Sequence, residues 1–254
     1  TIYNMINFLV ELYRIKSHDW GSIIRYHIEK DKLLLADEKV KYPKGCINFG
    51  LAHGIIAPLI ALAKAKKYGY NVKGINATIS GLRQLYEKYS VRDMNILKYP
   101  TMLSVEDYFS NTVSKDSITY NAGWCYGNAG IVRGLMKVSY YLNDNNNYQY
   151  YKKELLSIIN QELDNYNFDL PIVCHGYASV LSIQISAFRE SGDKSFLITR
   201  ERNMRQTIIS HRNCIFNDEY TNDYSILSGE SGTILTLING IYLGKEYPKL
   251  LMID

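Results

Sequence analysis

Cysteine is scarce: the 254-residue sequence has only Cys46, Cys125, Cys174 and Cys214. That is too few for a disulfide scaffold in a chain of this size. Nor does any apolar run reach the roughly 20 residues that a membrane-spanning helix needs. The longest candidate, around Leu51 to Ala65, is broken by His53 and Pro58 and ends in lysines. Neither sign of charge dominates. The 29 basic and 25 acidic residues leave a net +4, spread along the chain, which forms no basic stripe for nucleic acid. The first residues, TIYNMINFLV, carry no basic leading region and no small-residue cleavage site follows. The expectation is a reducing, cytoplasmic setting, where paired Cys and His point to metal or catalysis before a bridge. What the chain does have is 46% apolar and 21% charged residues, the balance of a globular protein and not of a disordered one.

Four segments repeat one pattern. They read GLAHGIIAPLIALAKA from Gly50, GWCYGNAGIVRGLMKVSYYL from Gly123, IVCHGYASVLSIQISAFRE from Ile172 and ILSGESGTILTLINGIYL from Ile226. Each carries a glycine (Gly54, Gly127, Gly176, Gly229), then a small residue three positions on (Ala57, Gly130, Ser179, Gly232), then an apolar run with helical spacing. Between them, 72–89, 148–163 and 194–210 read as more polar, amphipathic helices. The unit is therefore a helix pair, one apolar and one amphipathic, as in helical-repeat proteins. An open solenoid or a closed ring would satisfy it; a ring with apolar helices inside explains the two helix types better. On this reading the glycines let inner helices approach one another at one end. The stretch 92–120 looks like an irregular insertion, and NDNNN at 143–147 like a helix-ending loop. No linker appears, so residues 1–254 read as one all-α domain with small irregular insertions.

Superimposing the repeats brings special residues into register. Just before the aligned glycine stand His53, Tyr126, His175 and Ser228; one position earlier stand Ala52, Cys125, Cys174 and Leu227. In a ring these positions converge, so Cys125, Cys174, His175 and His53 become neighbours. Two thiolates and one imidazole suit zinc with one coordination position open, the catalytic pattern and not the structural one. Such a site suits a thiol substrate, because zinc holds a coordinated thiol in its nucleophilic, deprotonated form. Cys46 and Cys214 read as small core residues, and His18, His27 and His211 as surface residues.

The blocks GLAHG, GWCYG, CHG and SGESG, in this order and spacing, resemble the lanthionine synthetase C family of lantibiotic cyclases, from about Lys44 to Gly244. YPKGCINFGLAHG resembles the bacterial form. The resemblance implies a seven-hairpin α/α toroid, of which this chain is the C-terminal part without the first hairpins. It implies one Zn2+ per chain on Cys125, Cys174 and His175. It implies His53 and Tyr126 as catalytic residues and Trp124 at the substrate. The implied reaction is Michael addition of a precursor-peptide cysteine to dehydroalanine or dehydrobutyrine, forming a lanthionine or methyllanthionine thioether. A dehydratase and an exporter at the inner face of the membrane are the implied partners. Asn121 stands where the family often has arginine, and neither Asp19, Asp31 nor Asp37 matches the family's essential aspartate. A second expectation is thus a non-catalytic, zinc-containing module that binds a peptide or a partner. No acidic metal–diphosphate cluster marks the chain as another kind of α/α toroid, such as a terpene cyclase.

Overall fold

The computed structural model describes residues 1–217, 223–243 and 251–253. Helix α1 (Ile2–Glu11) is followed by a hairpin of β1 (Ile15–His18) and β2 (Gly21–Ile24). Next come α2 (Ala36–Lys41), β3 (Cys46–Asn48), α3 (Ile56–Lys67) and α4 (Ile75–Lys88). The stretch expected to be irregular is ordered. It holds a hairpin of β4 (Val91–Asp93) and β5 (Ile96–Lys98), then β6 (Met102–Ser104) and α5 (Val105–Ser110). β6 pairs antiparallel with β3, Cys46 opposite Ser104, which anchors the segment just ahead of the first repeat loop. The fold is therefore mostly helical with three small two-stranded sheets, and not purely helical. Strands of three residues are too short for an alternating pattern to stand out in sequence.

The remaining elements are α6 (Asn128–Tyr141), α7 (Asn145–Ile159), α8 (Tyr177–Ser191), α9 (Arg200–Phe216) and α10 (Glu230–Tyr242). The three amphipathic helices are present as α4, α7 and α9, with bounds shifted by a few residues from those expected. Segment 143–147 does end a helix, but it also starts the next: Asp144 caps α7, its carboxylate accepting from Asn147 N–H at 3.2 Å.

Helix type follows position. α6 is buried at every residue from Asn128 to Ser139, and α8 from Tyr177 to Ala187. Such helices are enclosed on all sides. α9 buries only Asn203, Thr207, Ser210 and Cys214, a single stripe at helical spacing. α3 packs on α6, α6 on α8 and α8 on α10, while α4, α7 and α9 back the first three. The described residues show this row of four inner helices, not its closure into a ring. Cys46 and Cys214 are buried, as expected of core thiols. His18, His27 and His211 are half-buried instead of being surface residues, with His18 stacked on Trp20 at 4.5 Å. No helix among the described residues is long and apolar enough to cross a membrane.

The centre of the helix row is charged. Arg133 is wholly buried on α6 and donates to both carboxylate oxygens of Glu190 on α8, at 2.8 and 3.1 Å; Lys137 donates to Glu190 at 2.6 Å. Arg133 Nε also donates to the carbonyl of Ile253 at 2.9 Å, and Trp124 Nε1 to that of Leu251 at 2.8 Å. Residues 251–253 thus form a strap against α6 and α8, with Leu251 and Ile253 buried. Burial by itself raises the Glu190 carboxyl pKa, but Arg133 and Lys137 override it and bring it from 4.5 down to about 2. Its contribution to stability is whole above about pH 4.5 and is lost as pH falls toward 2. Glu190→Gln removes the carboxylate that Arg133 and Lys137 share and should cost about 3 kcal/mol at pH 7 in urea unfolding. Between pH 5 and 3 the native chain should lose more stability than the variant. Equal losses would remove Glu190 from the account.

Candidate metal centre

Each inner helix is preceded by a loop that folds back on the helix start, and the four loops are built alike. The N–H directly after the aligned glycine donates to a carbonyl seven residues earlier: Ile55 to Asn48 (2.9 Å), Asn128 to Asn121 (3.0 Å), Tyr177 to Leu170 (3.1 Å), Glu230 to Asp223 (2.9 Å). In three of the four, the same residue's side chain turns the loop. Asn48, Asn121 and Asp223 accept through Oδ1 from the N–H of Gly50, Gly123 and Ser225, at 2.9 to 3.0 Å. In the third repeat Pro171 follows Leu170, and its fixed φ takes that place.

The fold-back explains the glycines, and the reason differs from the one expected. A β-carbon at Gly127 would stand 2.0 Å from Gly123 N, and one at Gly130 would stand 2.0 Å from the Trp124 carbonyl oxygen. The close approach is between each helix start and its own loop, not between inner helices.

Backbone hydrogen bonds then join loop to loop at a single register. Ala52 N–H donates to Cys125 O (3.3 Å), Cys125 N–H to Cys174 O (3.1 Å) and Cys174 N–H to Leu227 O (2.9 Å). These are the four positions that superposition of the repeats aligned. Successive Cα atoms along this ladder are therefore neighbours, and Cys125 and Cys174 stand side by side.

Cys125, Cys174 and His175 each offer one ligand atom, and these atoms lie within 4.8 Å of one another. Tetrahedral zinc, with sulfur at about 2.3 Å, sets its ligands roughly 3.5 to 4 Å apart, so small side-chain rotations suffice. The donor set fits a metal of borderline softness. Electrostatics agree. A hydrogen bond from the Cys125 thiol, helped by His175, holds the Cys174 thiol well below its ordinary range. Cys125 is correspondingly pushed up and stays protonated without metal. The His175 imidazole is raised by the Cys174 thiolate. Cys125 is buried, Cys174 half-buried and His175 exposed, so the cluster opens on one side. It opens into a cleft of about 500 Å³ floored by Phe168 and Leu170.

The other expected site residues lie around this cluster. Tyr126, half-buried, stands beside it, and the His53 ring lies 5.9 Å from the Tyr126 ring, centroid to centroid. His53 is exposed in the turn before α3 and lies outside the ligand cluster. Trp124 is 7% exposed, its indole N–H engaged by the strap, so it backs Cys125 from within. Reading the sequence missed Asn167 and Asp169 on the cleft rim, and the shared turn-forming role of Asn48, Asn121 and Asp223. The last three were detectable: each stands six residues before an aligned glycine.

A family model described as lanthionine synthetase C-like protein matches residues 3–252. The chain belongs to that family. Nisin biosynthesis protein NisC of Lactococcus lactis subsp. lactis is 27% identical over 181 residues, covering 70% of this chain and 41% of that protein. A solved structure named nisin cyclase matches with a TM-score of 0.80 at 24% identity, over 99% of this chain and 60% of that one. This second likeness is one of fold. The chain thus spans less than two thirds of the relatives it matches.

The cluster has a chemical signature. In the metal-free chain at pH 7, iodoacetamide should modify Cys174 at least about tenfold faster than Cys46. Cys46 is enclosed, and burial pushes its thiol up to about 12. Peptide mapping by mass spectrometry reads the two rates; equal rates would remove the case for a thiolate at Cys174.

Proposed function

We propose that this chain holds one Zn2+ on Cys125, Cys174 and His175 and serves a lantibiotic cyclase. The reaction is addition of a precursor-peptide cysteine to dehydroalanine or dehydrobutyrine. The observation that carries this reading is the three-ligand cluster with its open side toward a cleft. Zinc bound there supplies Lewis acidity that keeps a substrate thiol deprotonated at neutral pH. The new bond joins cysteine sulfur to the β-carbon of the dehydro residue, and the alkene electron pair moves onto the α-carbon and its carbonyl. The α-carbon must then gain a proton. His53 and Tyr126 stand together beside the cluster, and burial raises the Tyr126 hydroxyl, which therefore keeps its proton. His53 donates or relays that proton. Trp124 braces the Cys125 loop through the strap and so positions a ligand. A dehydratase that makes the dehydro residue is the partner this chemistry needs, and an exporter is the further partner that the family resemblance implies.

A non-catalytic reading rests on Asn121, which stands where the family often has arginine. The module would then hold zinc and bind a peptide or partner without closing rings. One experiment separates the two. Elemental analysis should find about one zinc per chain, lost in Cys174→Ala and kept in His53→Ala. With a dehydrated cysteine peptide, His53→Ala should slow thioether formation about 10²- to 10⁴-fold. Full zinc and full activity in Cys174→Ala would refute the ligand assignment. Zinc without thioether product in the native chain would favour the binding module.

A further inference from the structure

The cleft at the metal cluster does not end there. Its rim carries Asn121 and Asn167, and these two residues also line a second cleft of about 320 Å³ on their far side. The second cleft lies beside the β4–β5 hairpin and the end of α7. Its floor is apolar, made by Ala122, Ile158 and Ile96. The charge at its mouth is already balanced: Lys98 pairs with Asp93 at 2.7 Å and lies 4.2 Å over the Tyr120 ring. Two clefts therefore share a ridge of two carboxamides.

The orientation of each carboxamide is set by its bonds. Asn121 Oδ1 accepts the Gly123 N–H at 3.0 Å, so its amide hydrogens point elsewhere, and they have no partner among the described residues. Asn167 is the reverse. Its Nδ2 donates to the Tyr120 carbonyl at 2.8 Å, leaving its oxygen without a partner among the described residues. The ridge thus offers one donor group and one acceptor. A peptide unit offers the complement, a carbonyl and an N–H. Main-chain bonds of this kind hold an extended peptide without reading its sequence, while a pocket beside them selects a side chain.

We infer that the Asn121–Asn167 ridge grips the backbone of an extended substrate segment next to the reacting cysteine, and that the second cleft seats an uncharged apolar side chain of that segment. This rests on the metal reading above for the direction of the chain, because one end of the track is the thiol-binding cluster. It also gives Asn121 a use in place of an arginine: a neutral donor where a charged one would favour acidic peptide.

The test uses the zinc-loaded full chain and fluorescein-labelled, end-capped glycine hexapeptides. Each contains one cysteine and one leucine placed one to four positions to either side. Fluorescence anisotropy should find one leucine spacing that binds about tenfold tighter than the all-glycine control. Asn167→Ala should weaken that peptide about three- to tenfold, as expected for one lost hydrogen bond. Ile96→Trp, which fills the second cleft from β5, should abolish the leucine preference while leaving the all-glycine peptide unchanged. The cobalt(II)–thiolate spectrum of both variants should match that of the native chain. A serine series in place of cysteine separates the two readings. Loss of the cysteine advantage with the leucine preference intact would sink the metal reading and leave the groove standing. Leucine no better than glycine at every spacing, with both variants like the native chain, overturns the groove.

Discussion

The ladder Ala52–Cys125–Cys174–Leu227 is the constraint on which the site depends. Its rungs are backbone hydrogen bonds between loops that are 49 to 73 residues apart in sequence but equivalent in the repeat. Each rung satisfies groups at the mouth of a helix row, where unpaired backbone would be costly. The ladder holds because each loop is itself closed, by a bond from the helix start to the residue seven earlier and by an Asn, Asp or Pro turn. Glycine at the helix start is what allows that closure. The geometry of the Cys125–Cys174–His175 cluster is thus a product of main-chain bonding, with side chains added to it.

This explains why the ligands were legible in sequence. The glycines are visible because a β-carbon would collide with backbone, and that collision recurs in every repeat. Once they are aligned, Cys125 and Cys174 fall in register with no further assumption. The helix pairs were legible for the usual reason: α9 shows one buried stripe and α8 none, since it is buried all round. What escaped notice has physical causes too. The turn role that Asn121 shares with Asn48 and Asp223 lies ahead of the conspicuous blocks, and the third repeat breaks the pattern with Leu170 and Pro171. The strands between 91 and 104 are three residues long, and the turn joining β4 to β5 places Met94 and Asn95 at positive φ without glycine, so the strongest hairpin signal is missing. His18 and His27 are enclosed by Trp20 through ring contacts that no periodicity reveals.

The site combines rigid and open parts. Cys125 is locked by two accepted backbone bonds, by its own rung to Cys174 and by Trp124 behind it. His175 and His53 face outward from the turns beside it. Such an arrangement keeps three donor atoms in place behind one open side.

The strap has a consequence of its own. Its carbonyls at Leu251 and Ile253 hold the indole next to Cys125 and the guanidinium at the heart of the helix row, while Met252 between them is partly exposed beside α1. Displacing the strap would leave a buried indole N–H unbonded and strip one acceptor from a buried cation. Displacing the strap therefore removes part of the cluster's own support. A spectroscopic label at position 252 would sit at the surface and still report, through two hydrogen bonds, on the integrity of the centre within.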